Sequence, residues 1–344
     1  MCLYPVLGRN KKYEPNKKNA GKVPAFFDDR VLHVPRACGN CIECKKAKAR
    51  DWQLRLTEEI KAQTNGKFIT LTFSNESIKK IYEQKGLDKW PNINTLKGYD
   101  LDNEIAKRAI HWFRERWRKE FKEPIRHWLT TELGHNGTEN IHLHGIIWTD
   151  RDFKTIARKW EYGYIWPRPE DKKRIRKNYV NEKTINYIMK YVSKMDFDHK
   201  EYKPKVFTSP GIGSEYIYSF NSKNNKFNGI NTDEGYRLRS GRKVNMPIYW
   251  RNKLYTDEER EILWLQKLDK QKRYVMGEEI NVSNGMNIYW DTLEYYREIN
   301  NRMGYGTNEK NWDRIEYENK IREIRITTRI KNNKGKISKP QNSA

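Results

Sequence analysis

The chain has 344 residues, enough for one large or two modest domains, and 36% of them are hydrophobic, which allows a folded core. Its net charge of +24, with 12 tryptophans and 21 tyrosines, favours a nucleic-acid partner, because basic groups release counterions from phosphates and aromatic rings stack on unpaired bases. No apolar run approaches the ~20 residues that span a bilayer and no signal pattern opens the chain, so we expect no membrane partner.

Hydrophobic periodicity predicts an α+β protein in three segments. Residues 1–63 form a basic, cysteine-containing segment that ends in a helix, residues 64–255 form the core, and residues 256–344 form a helical and basic region with a disordered tail. Asn65-Gly66 and the stretch 134–137 are turn signals. The predicted strands are 68–73, 125–133 and 141–148, and the predicted helices are 42–63, 103–122, 182–194 and 256–271.

Three of the four cysteines form a Cys-x-x-Cys-x-x-Cys run, Cys38, Cys41 and Cys44. They are too few for a disulfide-stapled secreted fold, so a reducing compartment is expected. The run could hold a structural Zn²⁺ if Cys2 or His33 supplied the fourth ligand. Plain structural thiols are the alternative, because zinc sites usually pair two separated clusters of cysteine or histidine.

Two histidines, His142 and His144, lie one residue apart in the predicted strand 141–148. Side chains alternate between the faces of a strand, so both imidazoles project from the same face. Two imidazoles held side by side can bind a divalent metal ion. The alternative is a half-buried strand whose histidines face solvent.

Glu132 is the predicted third ligand. If strand 125–133 pairs with strand 141–148, this carboxylate approaches the two imidazoles, and the set suits Mg²⁺ or Mn²⁺. Asp150 and His135 are rival third ligands. A glutamate at the end of a hairpin strand is more often a simple exposed residue.

The predicted helix 182–194 carries two tyrosines and two lysines: Tyr187, Tyr191, Lys190 and Lys194. At 100° per residue they gather opposite an apolar stripe, although a surface helix with ordinary tyrosines would show the same pattern. A tyrosine phenolate can attack a phosphodiester and form a covalent intermediate, and nearby lysines can stabilise the charge that develops. The apolar stripe consists of Ile185, Ile188, Met189 and Val192.

In order along the chain, these motifs resemble those of the HUH endonucleases, and among them the rolling-circle replication initiators. Phe68–Phe73 looks like the first motif, and Ile141–Ile147 like the metal-binding second motif. Tyr187–Lys194 looks like the two-tyrosine third motif. The resemblance implies a central five-stranded antiparallel sheet flanked by helices, with N-terminal and C-terminal extensions.

A narrower resemblance is to the gokushovirus branch of the Microviridae, a group of single-stranded DNA bacteriophages. It rests on the opening Met1–Pro5, the cysteine run followed by Ala49–Trp52, and Met246–Tyr255. Together the resemblances cover about residues 1–265.

The resemblance implies an enzyme that nicks one DNA strand at the viral origin, becomes joined to the 5′ phosphate and later rejoins the strand. Tyr187 and Tyr191 would be the nucleophiles. Single-stranded origin DNA and a host helicase would be its partners, in the cytoplasm of an infected bacterium. An HUH transposase, a plasmid relaxase and a non-catalytic basic DNA-binding protein are alternative functions.

Overall fold

The computed structural model describes residues 2–83, 96, 98–134, 139–193 and 202–307. By packing, they form two units: residues 59–212, here called the sheet unit, and residues 2–58 with 213–307, here called the terminal unit. The three segments predicted from sequence remain a prediction about domains, and packing groups residues 213–255 with the chain's first residues instead. No described helix is both long and apolar enough to cross a membrane.

The predicted elements are present, with ends that differ by a few residues. The strands are β1 Val6–Arg9, β2 His33–Arg36, β3 Gly66–Leu71, β4 Arg126–Leu133, β5 Ile141–Trp148, β6 Ile165–Trp166, β7 Val206–Thr208, β8 Gly235–Arg237, β9 Lys243–Asn245, β10 Lys272–Val275 and β11 Glu278–Asn281. The α-helices are α1 Ile42–Ala62, α2 Asn75–Glu83, α3 Gly98–Phe121, α4 Phe153–Trp160, α5 Lys172–Arg176, α6 Glu182–Ser193, α7 Ile248–Leu254, α8 Asp257–Asp269 and α9 Asn287–Arg302.

The sheet unit is built on a five-stranded sheet in the order β6-β3-β5-β4-β7. Every neighbouring pair is antiparallel, and β5 lies at the centre between β3 and β4. The predicted fold class, α+β with a five-stranded antiparallel sheet flanked by helices, is therefore confirmed.

The two faces of this sheet have different neighbours, because side chains alternate along each strand. On one face, residues such as Leu143 and Leu129 join a buried core with α3 and α4, in which Phe113 and Trp160 are among the largest side chains. On the other face, α6 packs against β4 and β5. The histidine pair lies on the α6 face, so the main core stays apolar.

The terminal unit combines short hairpins with helices. Residues 1–36 were expected to be an extended lead-in, but β1 and β2 pair in an antiparallel hairpin. One core cluster joins Leu3 and Ile42 to α9 and to the hairpin β10–β11. Helix α8 begins as predicted, because Thr256 and Glu259 form the expected capping box.

Candidate active site

Glu132, His142 and His144 come together on the α6 face of the sheet. Glu132 on β4 lies directly opposite His142 on β5, and His144 follows two residues later on the same face. The Glu132 Oε2 atom is 3.2 Å from His142 Nε2 and 2.8 Å from His144 Nε2. One donor atom from each residue lies within 4.8 Å of the other two. The geometry thus gathers the three predicted metal ligands, whose role as ligands stays a prediction.

The tautomer of His142 follows from its hydrogen bonds. Its Nδ1 atom is 3.2 Å from the backbone carbonyl of Asn140, which can only accept, so Nδ1 carries the hydrogen. In the neutral ring, Nε2 then presents a lone pair to the Glu132 carboxylate. Two lone pairs repel at this distance, so the position between them favours a cation, either a second proton or a metal ion.

His144 has the same need on its inner side. Its Nδ1 lies 3.0 Å from the hydroxyl of Thr70 on β3. Its Nε2 is buried and, within the described part of the chain, has no hydrogen-bond partner. The 2.8 Å approach to Glu132 therefore lacks hydrogen-bond alignment. A buried imidazole nitrogen beside a carboxylate fits a metal ligand held by an outer hydrogen bond.

The protonation states also suit a cation. Burial raises the pKa of the Glu132 carboxyl, but hydrogen bonds and charge from the two histidines outweigh it and lower the pKa to about 2. Burial lowers the pKa of His144. Near neutral pH the site therefore offers an ionised carboxylate and a neutral imidazole, the forms that bind metal ions.

The rival ligands do not join this group. Asp150 lies beyond the other end of β5, where its carboxylate accepts a hydrogen bond from Asn65 at 3.2 Å. His135 lies outside the described residues. Among the described acidic and histidine residues, the cluster at this end of β5 contains Glu132, His142 and His144.

Tyr191 reaches the histidine cluster directly. Its ring stacks on the ring of His144 with centroids 4.2 Å apart and an interplanar angle of 3°. Its hydroxyl donates a hydrogen bond of 2.7 Å to the hydroxyl of Tyr187, whose side chain is exposed. The predicted apolar stripe of α6 is buried as expected. Tyr191 borders that stripe instead of lying opposite it, which turns its ring toward the sheet.

The proton on Tyr191 is held firmly in this arrangement. Burial raises the pKa of the Tyr191 hydroxyl, and the hydrogen bond to Tyr187 and the negative charge of Glu132 raise it further. A nucleophilic phenol must lose this proton during attack. A cation bound at Glu132 would cancel the contribution of the carboxylate charge, so the cluster and the phenol are electrostatically coupled.

The two predicted lysines differ in what can be said of them. Lys190 is exposed, and its Nζ lies 5.8 Å from the centroid of the Tyr187 ring. It can therefore place positive charge beside the phenols, as predicted. Lys194 lies outside the described residues.

An aromatic edge beside the tyrosines was missed by sequence reasoning. The ring of Phe68 lies 5.8 Å from Tyr187 and 5.6 Å from Trp166, centroid to centroid. Next to Trp166, the Tyr164 side chain is 75% exposed, and the Arg168 guanidinium lies 5.5 Å from its ring. β6 has only two residues, too few for a periodic signal, although two exposed aromatic residues near an arginine were a visible hint.

Comparison with known proteins gives one likeness. Residues 66–196 match the model of a family of replication-associated proteins, described as replication-associated protein ORF2. The match runs from β3 to the end of α6, so it includes Glu132, both histidines and both tyrosines. No curated protein and no solved structure matches the chain.

Proposed function

We propose that the protein is a replication initiator that nicks one DNA strand at a replication origin and later rejoins it. The tyrosine nucleophiles would be Tyr187 and Tyr191. The observation that carries the proposal is the ring of Tyr191 stacked on His144, because it brings a phenol to a cluster suited to a cation. The likeness to a replication-associated family over the same residues supports it.

Glu132, His142 and His144 would hold Mg²⁺ or Mn²⁺. When bound, such an ion acts as a Lewis acid that polarises a phosphoryl oxygen and offsets developing charge. Three protein ligands leave coordination positions open for substrate. Thr70 and the backbone carbonyl of Asn140 orient the two imidazoles from outside.

The reaction balances with the chain's own tyrosines. A phenol oxygen forms a bond to phosphorus while the bond from phosphorus to the 3′ oxygen breaks, and the phenol proton is taken up by solvent. The departing 3′ oxygen ends as a hydroxyl by accepting a proton, and the 5′ phosphate stays on the tyrosine. Attack by a 3′ hydroxyl on this phosphotyrosine reverses the step and rejoins a strand.

The second tyrosine gives the cycle its second cut. Because the hydroxyls of Tyr187 and Tyr191 are 2.7 Å apart, a phosphate on one lies beside the other, free phenol. Lys190 adds positive charge there. The exposed rings of Trp166 and Tyr164 would stack on unpaired bases of the entering strand.

The experiment is capture of a covalent adduct. The full-length protein is incubated with Mn²⁺ and a library of single-stranded oligonucleotides of random sequence, and adducts that survive denaturing detergent are sequenced. We expect enrichment of one sequence, which would identify the origin. The Tyr187→Phe/Tyr191→Phe double variant should still bind DNA but form no adduct, whereas the control Tyr179→Phe, an exposed tyrosine, should form it normally.

The outcomes separate the functions. Adduct formation by the double variant would refute the nucleophile assignment. Tight binding of single-stranded DNA by the unaltered protein, with no adduct on any sequence, would favour a non-catalytic DNA-binding protein. An adduct on a sequence from a mobile element would favour a transposase or relaxase.

The narrower proposal is an initiator of a gokushovirus-type bacteriophage in the Microviridae, acting in the cytoplasm of its bacterial host. It rests on the sequence resemblance of Met1–Pro5, the cysteine run and Met246–Tyr255. Unwinding would come from a host helicase. Capsid genes beside the coding sequence would support this source, and their absence would count against it.

A further inference from the structure

The four cysteines of the chain meet in the terminal unit. One sulfur from each lies within 4.8 Å of the other three. The Sγ atoms of Cys2 and Cys41 are 4.0 Å apart, and those of Cys38 and Cys44 are 3.9 Å apart. All four are free thiols. The cluster therefore joins the first residues of the chain to the start of α1.

These separations match a tetrahedral metal site. A zinc–sulfur bond of about 2.3 Å in a tetrahedron places neighbouring sulfurs about 3.8 Å apart. A disulfide would require about 2.0 Å. The Cys2–Cys41 and Cys38–Cys44 separations lie within a few tenths of an ångström of the tetrahedral edge.

Backbone amides point at two of the sulfurs. Cys2 Sγ accepts hydrogen bonds from the N–H groups of Tyr4 and Cys38, at 3.3 and 3.2 Å. Cys38 Sγ accepts from the N–H groups of Asn40 and Cys41, at 3.4 and 3.3 Å. Donors aimed at sulfur stabilise its thiolate form, which is the form that binds metal.

The surroundings exclude an unbalanced cluster of thiolates. Cys41 is fully buried, and the cluster packs against Leu3, Ile42 and the side chains of α9. Buried anions without a counterion are costly, so the thiolates need a cation or must stay protonated. The buried amide of Asn300 accepts the backbone N–H of Ile42 at 2.9 Å, which fixes the start of α1 beside the sulfurs.

We propose that Cys2, Cys38, Cys41 and Cys44 bind one structural Zn²⁺ ion. Four protein ligands close the coordination shell, so this ion would hold structure and take no part in strand cleavage. It would pin the amino-terminal residues against α1 and α9 within the terminal unit. Cys2 is the fourth ligand, since its sulfur completes the cluster, whereas His33 is exposed on β2.

The first test is metal content and spectroscopy. Protein purified without added chelator should carry one zinc per chain by mass spectrometry of the elements, and titration with a mercurial reagent should release it as the thiols react. Replacement by Co²⁺ should give the strong sulfur-to-metal charge-transfer and visible bands of a four-sulfur tetrahedral site. Zinc-free, fully reduced protein with unchanged thermal stability would overturn the proposal, as would an intact mass showing two disulfides.

Variants separate this site from the Glu132 cluster. Cys44→Ser should lose the zinc, while His33→Ala should keep one equivalent. Glu132→Ala/His142→Ala/His144→Ala should also keep it, and this variant fails in cleavage if the proposed function is right. Should Cys44→Ser misfold, the unaltered protein still answers: removing zinc must lower its melting temperature, and adding zinc back must restore it. Retention of zinc by Cys44→Ser would refute the four-sulfur assignment.

Discussion

His127 on β4 provides a test of the buried sheet through pH. Its side chain is 2% exposed, and its Nδ1 donates a hydrogen bond of 3.0 Å to the backbone carbonyl of Ile125. Burial lowers the pKa of this histidine from 6.5 to about 4, and the nearby charge of Arg114 contributes to the shift. The folded protein therefore holds this ring neutral at a pH where the unfolded chain protonates it.

The sign follows from proton linkage. Between about pH 6.5 and pH 4 the unfolded state binds more protons at this residue, so the free energy of unfolding falls as the pH falls. The contribution of His127 is complete above its unfolded pKa. With these two pKa values, the loss between about pH 7 and about pH 5 is about 2 kcal/mol.

The assay is urea unfolding followed by tryptophan fluorescence at both pH values. His127→Gln removes the titrating ring, so its free energy of unfolding should fall about 2 kcal/mol less than that of the unaltered protein over this pH range. His33→Gln is the matched control, because His33 is exposed on β2 and should leave the pH dependence unchanged. Equal pH dependence in His127→Gln and the unaltered protein would refute the buried neutral histidine.

Three further predictions concern the sheet unit. His142→Ala should abolish cleavage even with excess Mn²⁺ while single-stranded DNA binding persists; undiminished cleavage would remove this histidine from the site. Trp166→Ala should weaken binding of single-stranded DNA by about 1–3 kcal/mol in a fluorescence titration, against no change for Tyr218→Ala, a similarly exposed ring in the terminal unit. Gly145→Ala should destabilise the sheet by about 1–3 kcal/mol in thermal unfolding, since a Cβ atom would lie 2.0 Å from the Trp128 carbonyl oxygen; an unchanged melting temperature would contradict the tight strand pairing.

The geometry around His142 was predictable because strand periodicity is local. Alternation along a strand places His142 and His144 on one face, and a hairpin register then decides whether Glu132 reaches them. The observed pairing puts Glu132 opposite His142. A short turn and two apolar strands were enough to predict that register, because a slip by one residue would move the apolar side chains out of the core.

Other parts of the site depend on contacts between distant segments. Thr70 beside His144 and Trp166 beside Phe68 come from strand pairing that no local pattern encodes. The position of Tyr191 was predicted only in part. Helical spacing gives its angle around the helix axis, but the 4.2 Å stack on His144 depends on how α6 is rotated against the sheet.

The contact between the two phenols divides their behaviour. Tyr191 is wedged against an imidazole and borders a buried stripe, so its ring is fixed, whereas Tyr187 is 46% exposed and can change rotamer. Exposed side chains rotate in picoseconds to nanoseconds, far faster than an enzyme turns over. For an enzyme with this chemistry, a handover between the phenols would thus need one side-chain swing and no movement of a domain, and the arrival of the next strand would set the pace.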